Sequence, residues 1–139
     1  MQPEKHTAGS PEDWLRYAVS DLNLARVVPP PGVLLEGLCF HAQQAVEKAL
    51  KAILVSYSVP FPRTHSIRML IDLLVQYLSV PEAVQEAAIL TDYAVMTRYP
   101  GDIEPVSDDE YQQSIRLADT VVSWAKRIIR KEIQDTEQA

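Results

Sequence analysis

Cys39-Phe40-His41-Ala42-Gln43-Gln44-Ala45-Val46-Glu47-Lys48-Ala49-Leu50-Lys51-Ala52-Ile53-Leu54 has the spacing of a core helix. At about 100° per residue its apolar members, with Leu35 and Leu38 just upstream, form one continuous arc. Four of them (Ala42, Ala45, Ala49 and Ala52) are small enough to let a neighbouring helix approach closely. On the other side, His41, Gln44, Lys48 and Lys51 recur at spacings of three, four and three and so form one polar row. Gln43, Glu47 and an out-of-place aromatic, Phe40, lie beside it.

The flanking segments repeat the helical signal. Ser10-Pro11 with Asp13 reads as a cap, a first-position proline and a first-turn acid, opening helix 1 to about Val27. Trp14, Leu15, Ala18, Leu22 and Ala25 share one side of that helix, and Asp21 lies at its edge. Pro29-Pro30-Pro31-Gly32 stops helix 1, and the short stiff link predicts that helices 1 and 2 are antiparallel neighbours. Helix 2 is expected over about Leu34 to Tyr57, before Pro60-Phe61-Pro62. Thr64 or Ser66 caps helix 3, which carries Ile67, Leu70, Ile71, Leu74 and Leu78. Pro81 opens helix 4, which is expected to run to Arg98 before Tyr99-Pro100-Gly101.

Ser107 and Glu110 have the spacing of a capping box for helix 5, expected from about Asp108 to Ile133. Lys126, Arg127, Arg130 and Lys131 then fall at its negative end. Two apolar rows run along it, and the second (Leu117, Val121, Trp124, Ile128) requires a partner within the bundle or on another subunit. With Phe40, this row is the candidate dimer interface. The expected fold is all-α: an antiparallel up-and-down bundle of four long helices plus a short one over residues 10–133. Residues 1–9 and 134–139 are expected to be flexible tails.

Composition narrows the function. At 139 residues the chain suits one domain, and 47% hydrophobic with 23% charged residues are globular values. A net charge of −6 disfavours broad nucleic-acid binding. One cysteine and three scattered histidines offer no metal-ligand spacing, four glycines include no phosphate loop, and no cofactor is expected. With no apolar run long enough for a membrane span and no signal-peptide core, a cytoplasmic location is expected.

Four blocks in order carry a family resemblance: Trp14-Leu15-x-x-Ala18-x-x-Asp21-Leu22-x-x-Ala25, then Cys39 to Lys51, Arg63-Thr64-His65-Ser66-Ile67, and Tyr93-x-x-x-x-Arg98-Tyr99-Pro100. Together they resemble the HEPN family, the higher eukaryote and prokaryote nucleotide-binding domain, from roughly Pro11 to Lys131. The resemblance implies a helical bundle that forms a homodimer and works with a minimal nucleotidyltransferase in a two-component or toxin–antitoxin pair. Many relatives are metal-independent ribonucleases that use Arg-x(4–6)-His. This chain departs from that motif: no histidine follows Arg98, or any other arginine, at that spacing. Without the imidazole that moves protons near neutral pH, no catalytic residue is assigned.

The resemblance therefore points to nucleotide or partner binding, with His41, Gln44, Lys48, Lys51, Arg63 and Arg98 as the candidate nucleotide- or anion-binding residues. Taken without it, the same row reads first as a solvated face carrying a Glu47–Lys51 pair, and only the resemblance brings the two readings level. Arg98 and Asp21, both on apolar arcs, are expected to form an internal ion pair. Two alternatives stay open: a ribonuclease acting on RNA through His41 or His65, and a purely structural interaction module.

Overall fold

The computed structural model describes residues 9–92 and 105–138, with side chains as far as Asp135. It is an all-helical bundle, and no strand occurs among the described residues. Its elements are α1 (Pro11–Ala25), α2 (Leu35–Ser56), α3 (Ile67–Leu74), α4 (Glu82–Gln85), a 3-10 run (Glu86–Thr91) and α5 (Asp108–Gln138).

Local chemistry sets the ends of these elements. Ser10 Oγ accepts from the Asp13 amide at 3.0 Å, with Pro11 at the first helical position of α1. The α2 helix ends in a Schellman motif, in which the Val59 amide donates to Leu54 O at 2.9 Å and the Ser58 amide to Val55 O at 3.0 Å. Ser58 takes the left-handed conformation (φ 57°) that glycine usually fills there. Of the two candidates, Ser66 caps α3, its Oγ accepting from the Met69 amide, while Thr64 Oγ1 accepts from the amide of Ser66 just before the helix. The Ser107–Glu110 box forms in both directions, at 2.9 and 3.1 Å.

As far as Asp92, the fourth helix departs from expectation: one α-turn tightens into a 3-10 run, and Thr91 Oγ1 accepts the Ile67 amide at the start of α3. Its expected continuation to Arg98 lies outside the described residues.

The arc of α2 is the centre of the core. Ala42, Ala45, Val46, Ala49, Leu50, Ala52, Ile53 and Leu54 are fully buried with Ala18 and Ala25 of α1, Leu70 and Leu74 of α3, and Val121 and Ala125 of α5. Contacts run Trp14 to Lys51, Tyr17 to Lys48 and Asp21 to His41, so α1 and α2 are antiparallel as the short link predicts. In contrast, α2 and α5 run parallel. Glu36 accepts the Val106 amide at one end, and the Tyr57 hydroxyl meets Glu132 at the other. Burial, reinforced by Glu132 and Asp135, raises the pKa of Tyr57. Tyr111 closes the α1 end of the bundle by donating to Ala25 O at 2.6 Å, one of the carbonyls the end of a helix leaves without a partner.

The α5 helix corrects two expectations. Leu117, Val121 and Trp124 lie inside this chain's own core, with Ile128 packed against it. The second apolar row therefore finds its partner within the bundle and is not available as a dimer interface; of the five candidates, only Phe40 is exposed. The helix also continues through Gln138, past the expected end at Ile133. Lys126 to Lys131 therefore lie about two to three turns before Gln138, beyond the reach of the dipole there.

Candidate functional site

The polar row of α2 does not face open solvent. It lies along the seam with α1 and the 63–66 link, which divide it into two clusters. The first is built on Asp21 of α1, the acid at the edge of that helix's apolar side. Its Oδ1 lies 3.0 Å from His41 Nδ1, and its Oδ2 accepts from Lys48 Nζ at 2.7 Å. A carboxylate only accepts, so Nδ1 is the donor in this contact, and in the neutral ring Nε2 is then the acceptor. Asp21 thus pairs with His41 and Lys48. The proposed partner, Arg98, lies outside the described residues, as do Tyr93, Tyr99 and Pro100.

The second cluster is built on Glu47, whose side chain is 5% exposed. Its Oε2 accepts from Lys51 Nζ at 2.7 Å. Its Oε1 meets His65 Nδ1 at 3.0 Å, Gln43 Nε2 at 3.2 Å and Gln44 Nε2 at 3.3 Å. Gln43 also donates to His65 O, and Lys51 to Thr64 O, so the cluster fastens the link before α3 to α2. Burial, the largest single influence on Glu47, pushes its pKa up. The hydrogen bonds from Lys51, His65 and Gln43 together overcome it, and the carboxyl titrates below its usual range. Trp14 and Phe61, edge to face at 6.1 Å, each place a ring 5.6 Å from Lys51 Nζ.

Lys51 is therefore a buried, fully engaged cation, and Glu47–Lys51 is not the solvated pair that the spacing alone allows. No buried side-chain nitrogen or oxygen among the described residues lacks a hydrogen-bond partner. None of the buried groups of the Glu47 cluster is left to receive a ligand. Arg63 is exposed, and no hydrogen bond or ion pair among the described residues joins it to either cluster. The row as proposed thus comes together only in part: His41 and Lys48 share Asp21, while Gln44 and Lys51 serve Glu47.

What remains open lies on the α1 side of Lys48. Arg16, Tyr17, Ser20, Asp21 and Lys48 line a recess of about 280 Å³. The Tyr17 ring, more than half exposed, has the Arg16 guanidinium carbon 5.2 Å and Lys48 Nζ 5.9 Å from its centroid. Arg16 also reaches Asp13 at 3.2 Å. Arg16, Tyr17 and Ser20 were not among the sequence candidates. Their spacing puts them on the outer side of α1, and only the packing of α1 on α2 brings them beside Lys48.

Among the described residues no group of His, Cys, Asp and Glu side chains is arranged to hold a metal ion, and no helix is long and apolar enough to cross a membrane.

The HEPN domain model matches residues 11–128. TT1696 from Thermus thermophilus is 30% identical with a TM-score of 0.72; the match covers 86% of this chain and 98% of that one. ST0689, described as an archaeal HEPN homologue, is 27% identical with a TM-score of 0.68 over the same shares of the two chains. No curated protein matches the chain.

Proposed function

Because this chain belongs to the HEPN domain family, we propose that it is a binding module for a nucleotide, working beside a minimal nucleotidyltransferase in a two-component, toxin–antitoxin-like pair. The observation that carries this reading is the recess beside Lys48, where two cations and a hydroxyl surround an exposed aromatic ring. Lys48 and Arg16 supply charge for phosphate, Ser20 a hydrogen bond, and Tyr17 a surface on which a base stacks. His41 and Gln44 flank this site rather than form it. The absence of Arg-x(4–6)-His from the sequence makes binding, not cleavage, the expected activity.

Thermal-shift screening across nucleoside mono-, di- and triphosphates, followed by calorimetric titration, tests the proposal. Lys48→Ala and Arg16→Ala are each expected to weaken the ligand about tenfold, the loss of one charge-assisted hydrogen bond. If no nucleotide shifts the melting temperature while an adjacent nucleotidyltransferase co-purifies with the chain, the purely structural module is the correct reading.

The histidines favour one second reading. Asp21 and Glu47 each hold an imidazole by Nδ1, which leaves Nε2 as a base of the kind an unconventional ribonuclease needs. Incubating the protein with a mixed RNA pool tests this. Cleavage that disappears in the His41→Ala/His65→Ala variant would replace the binding reading.

A further inference from the structure

The recess beside Lys48 has an acid at each end of its α1 side. Asp13, Tyr17 and Asp21 follow one another at four-residue spacing, with Arg16 and Ser20 on the neighbouring row. Arg16 and Tyr17 thus stand between two carboxylates whose backbone positions are about 12 Å apart along the helix axis. Each cation faces one of these acids: Arg16 Nη2 lies 3.2 Å from Asp13 Oδ1, and Lys48 Nζ 2.7 Å from Asp21 Oδ2. The Asp21 side chain is 13% exposed and also holds His41, so its carboxylate is fixed in the wall.

These pairs leave donors for a ligand but little surplus charge. An ammonium carries three N–H groups and a guanidinium five, so Lys48 and Arg16 can hold one phosphate while keeping Asp21 and Asp13. With His41 neutral, the two cations and two carboxylates sum to no net charge, on a chain of −6. The space is small as well: about 280 Å³, just below the ~300–1,000 Å³ usual for small-molecule pockets. A phosphate chain longer than one unit therefore runs out of the recess. Along α1 it meets Asp13 or Asp21 within about one turn in either direction.

Resting on the nucleotide-binding reading above, the geometry points to a narrower ligand: a nucleoside monophosphate, with Asp13 and Asp21 as the residues that select it against di- and triphosphates. The single phosphate bonds Arg16 and Lys48 between the two carboxylates, and the base lies on Tyr17. Each further phosphate brings negative charge to where the wall already carries it. The two acids therefore set specificity by repelling the competitor, not by attracting the ligand.

Calorimetric titration of the full chain with AMP, ATP, UMP and UTP, each with and without Mg²⁺, tests this. The monophosphate is expected to bind at least about tenfold more tightly than the triphosphate of the same base. Asp21→Asn and Asp13→Asn keep the size of each side chain and remove its charge. Each is expected to raise triphosphate affinity roughly threefold to tenfold and so narrow the gap. A residue that merely braced the helices would weaken both ligands alike. Thermal melts show whether the variants are folded, and Asp13, in the first turn of α1 with an exposed partner, is the safer of the two. A triphosphate that binds as tightly as the monophosphate, with or without Mg²⁺, would overturn the proposal and leave the nucleotide-binding reading in place. So would a gap that both variants preserve. If none of the four ligands binds, that reading fails and this proposal with it.

Discussion

Glu47→Leu is expected to lower stability by about 3–5 kcal/mol, because it strands the Lys51 ammonium inside the protein. Lys51 is 9% exposed in its side chain and has Glu47 as its anion. With that partner gone, the Thr64 carbonyl and the two aromatic rings remain around it, and none of them neutralises the charge. For a domain of this size the melting temperature should fall by roughly 10 °C. Glu47→Leu combined with Lys51→Met removes both charges and fills the space, so the double variant should recover most of that loss. Urea denaturation of the three proteins measures the coupling. A single variant within about 1 kcal/mol of the wild type would show that the pair is not a structural clamp.

The same carboxyl sets a pH dependence. Its folded-state pKa lies below the ordinary 4.5, so the stability it contributes is fully present above pH 4.5. That stability is lost as pH falls through the lowered folded value. Glu47→Gln should therefore flatten the acid limb of the stability profile and leave its shape above that limb unchanged. An acid limb identical to the wild type's would assign it to other groups.

Trp124→Ala is the second large effect. The ring is 5% exposed and lies in the core cluster with Val121 and Ala125, so its removal should cost about 3–5 kcal/mol through lost burial and an unfilled cavity. The association state should not change, since the ring meets its own chain. Light scattering beside a thermal melt separates the two possibilities. Loss of a dimer without loss of stability would put Trp124 back at a subunit interface.

The positions of α1, α2 and α3, the start of α5, their caps and the antiparallel pairing of α1 with α2 were legible, because each follows from interactions within a few residues. Ser10, Ser66 and the Ser107–Glu110 box act across three positions, and the proline link leaves little choice of path. The family was legible too, in blocks of sequence that are themselves local.

The fate of the polar row was not. Whether Lys48 and Lys51 face water, a ligand or a buried acid depends on what α1 and the 63–66 link bring against them. Asp21 lies 27 positions from Lys48, and no periodicity along α2 contains that fact. The end of α5 was also misplaced, because a basic cluster near the end of an apolar pattern looks like a terminus until the chain is seen to continue.

By itself, then, the sequence determined the helices, their caps and the identity of the apolar faces, since backbone hydrogen bonding and side-chain period are short-range. Only the tertiary structure decided which charges are neutralised inside and which stay free. A charged group's energy depends on the dielectric and the counter-charges that distant segments place around it.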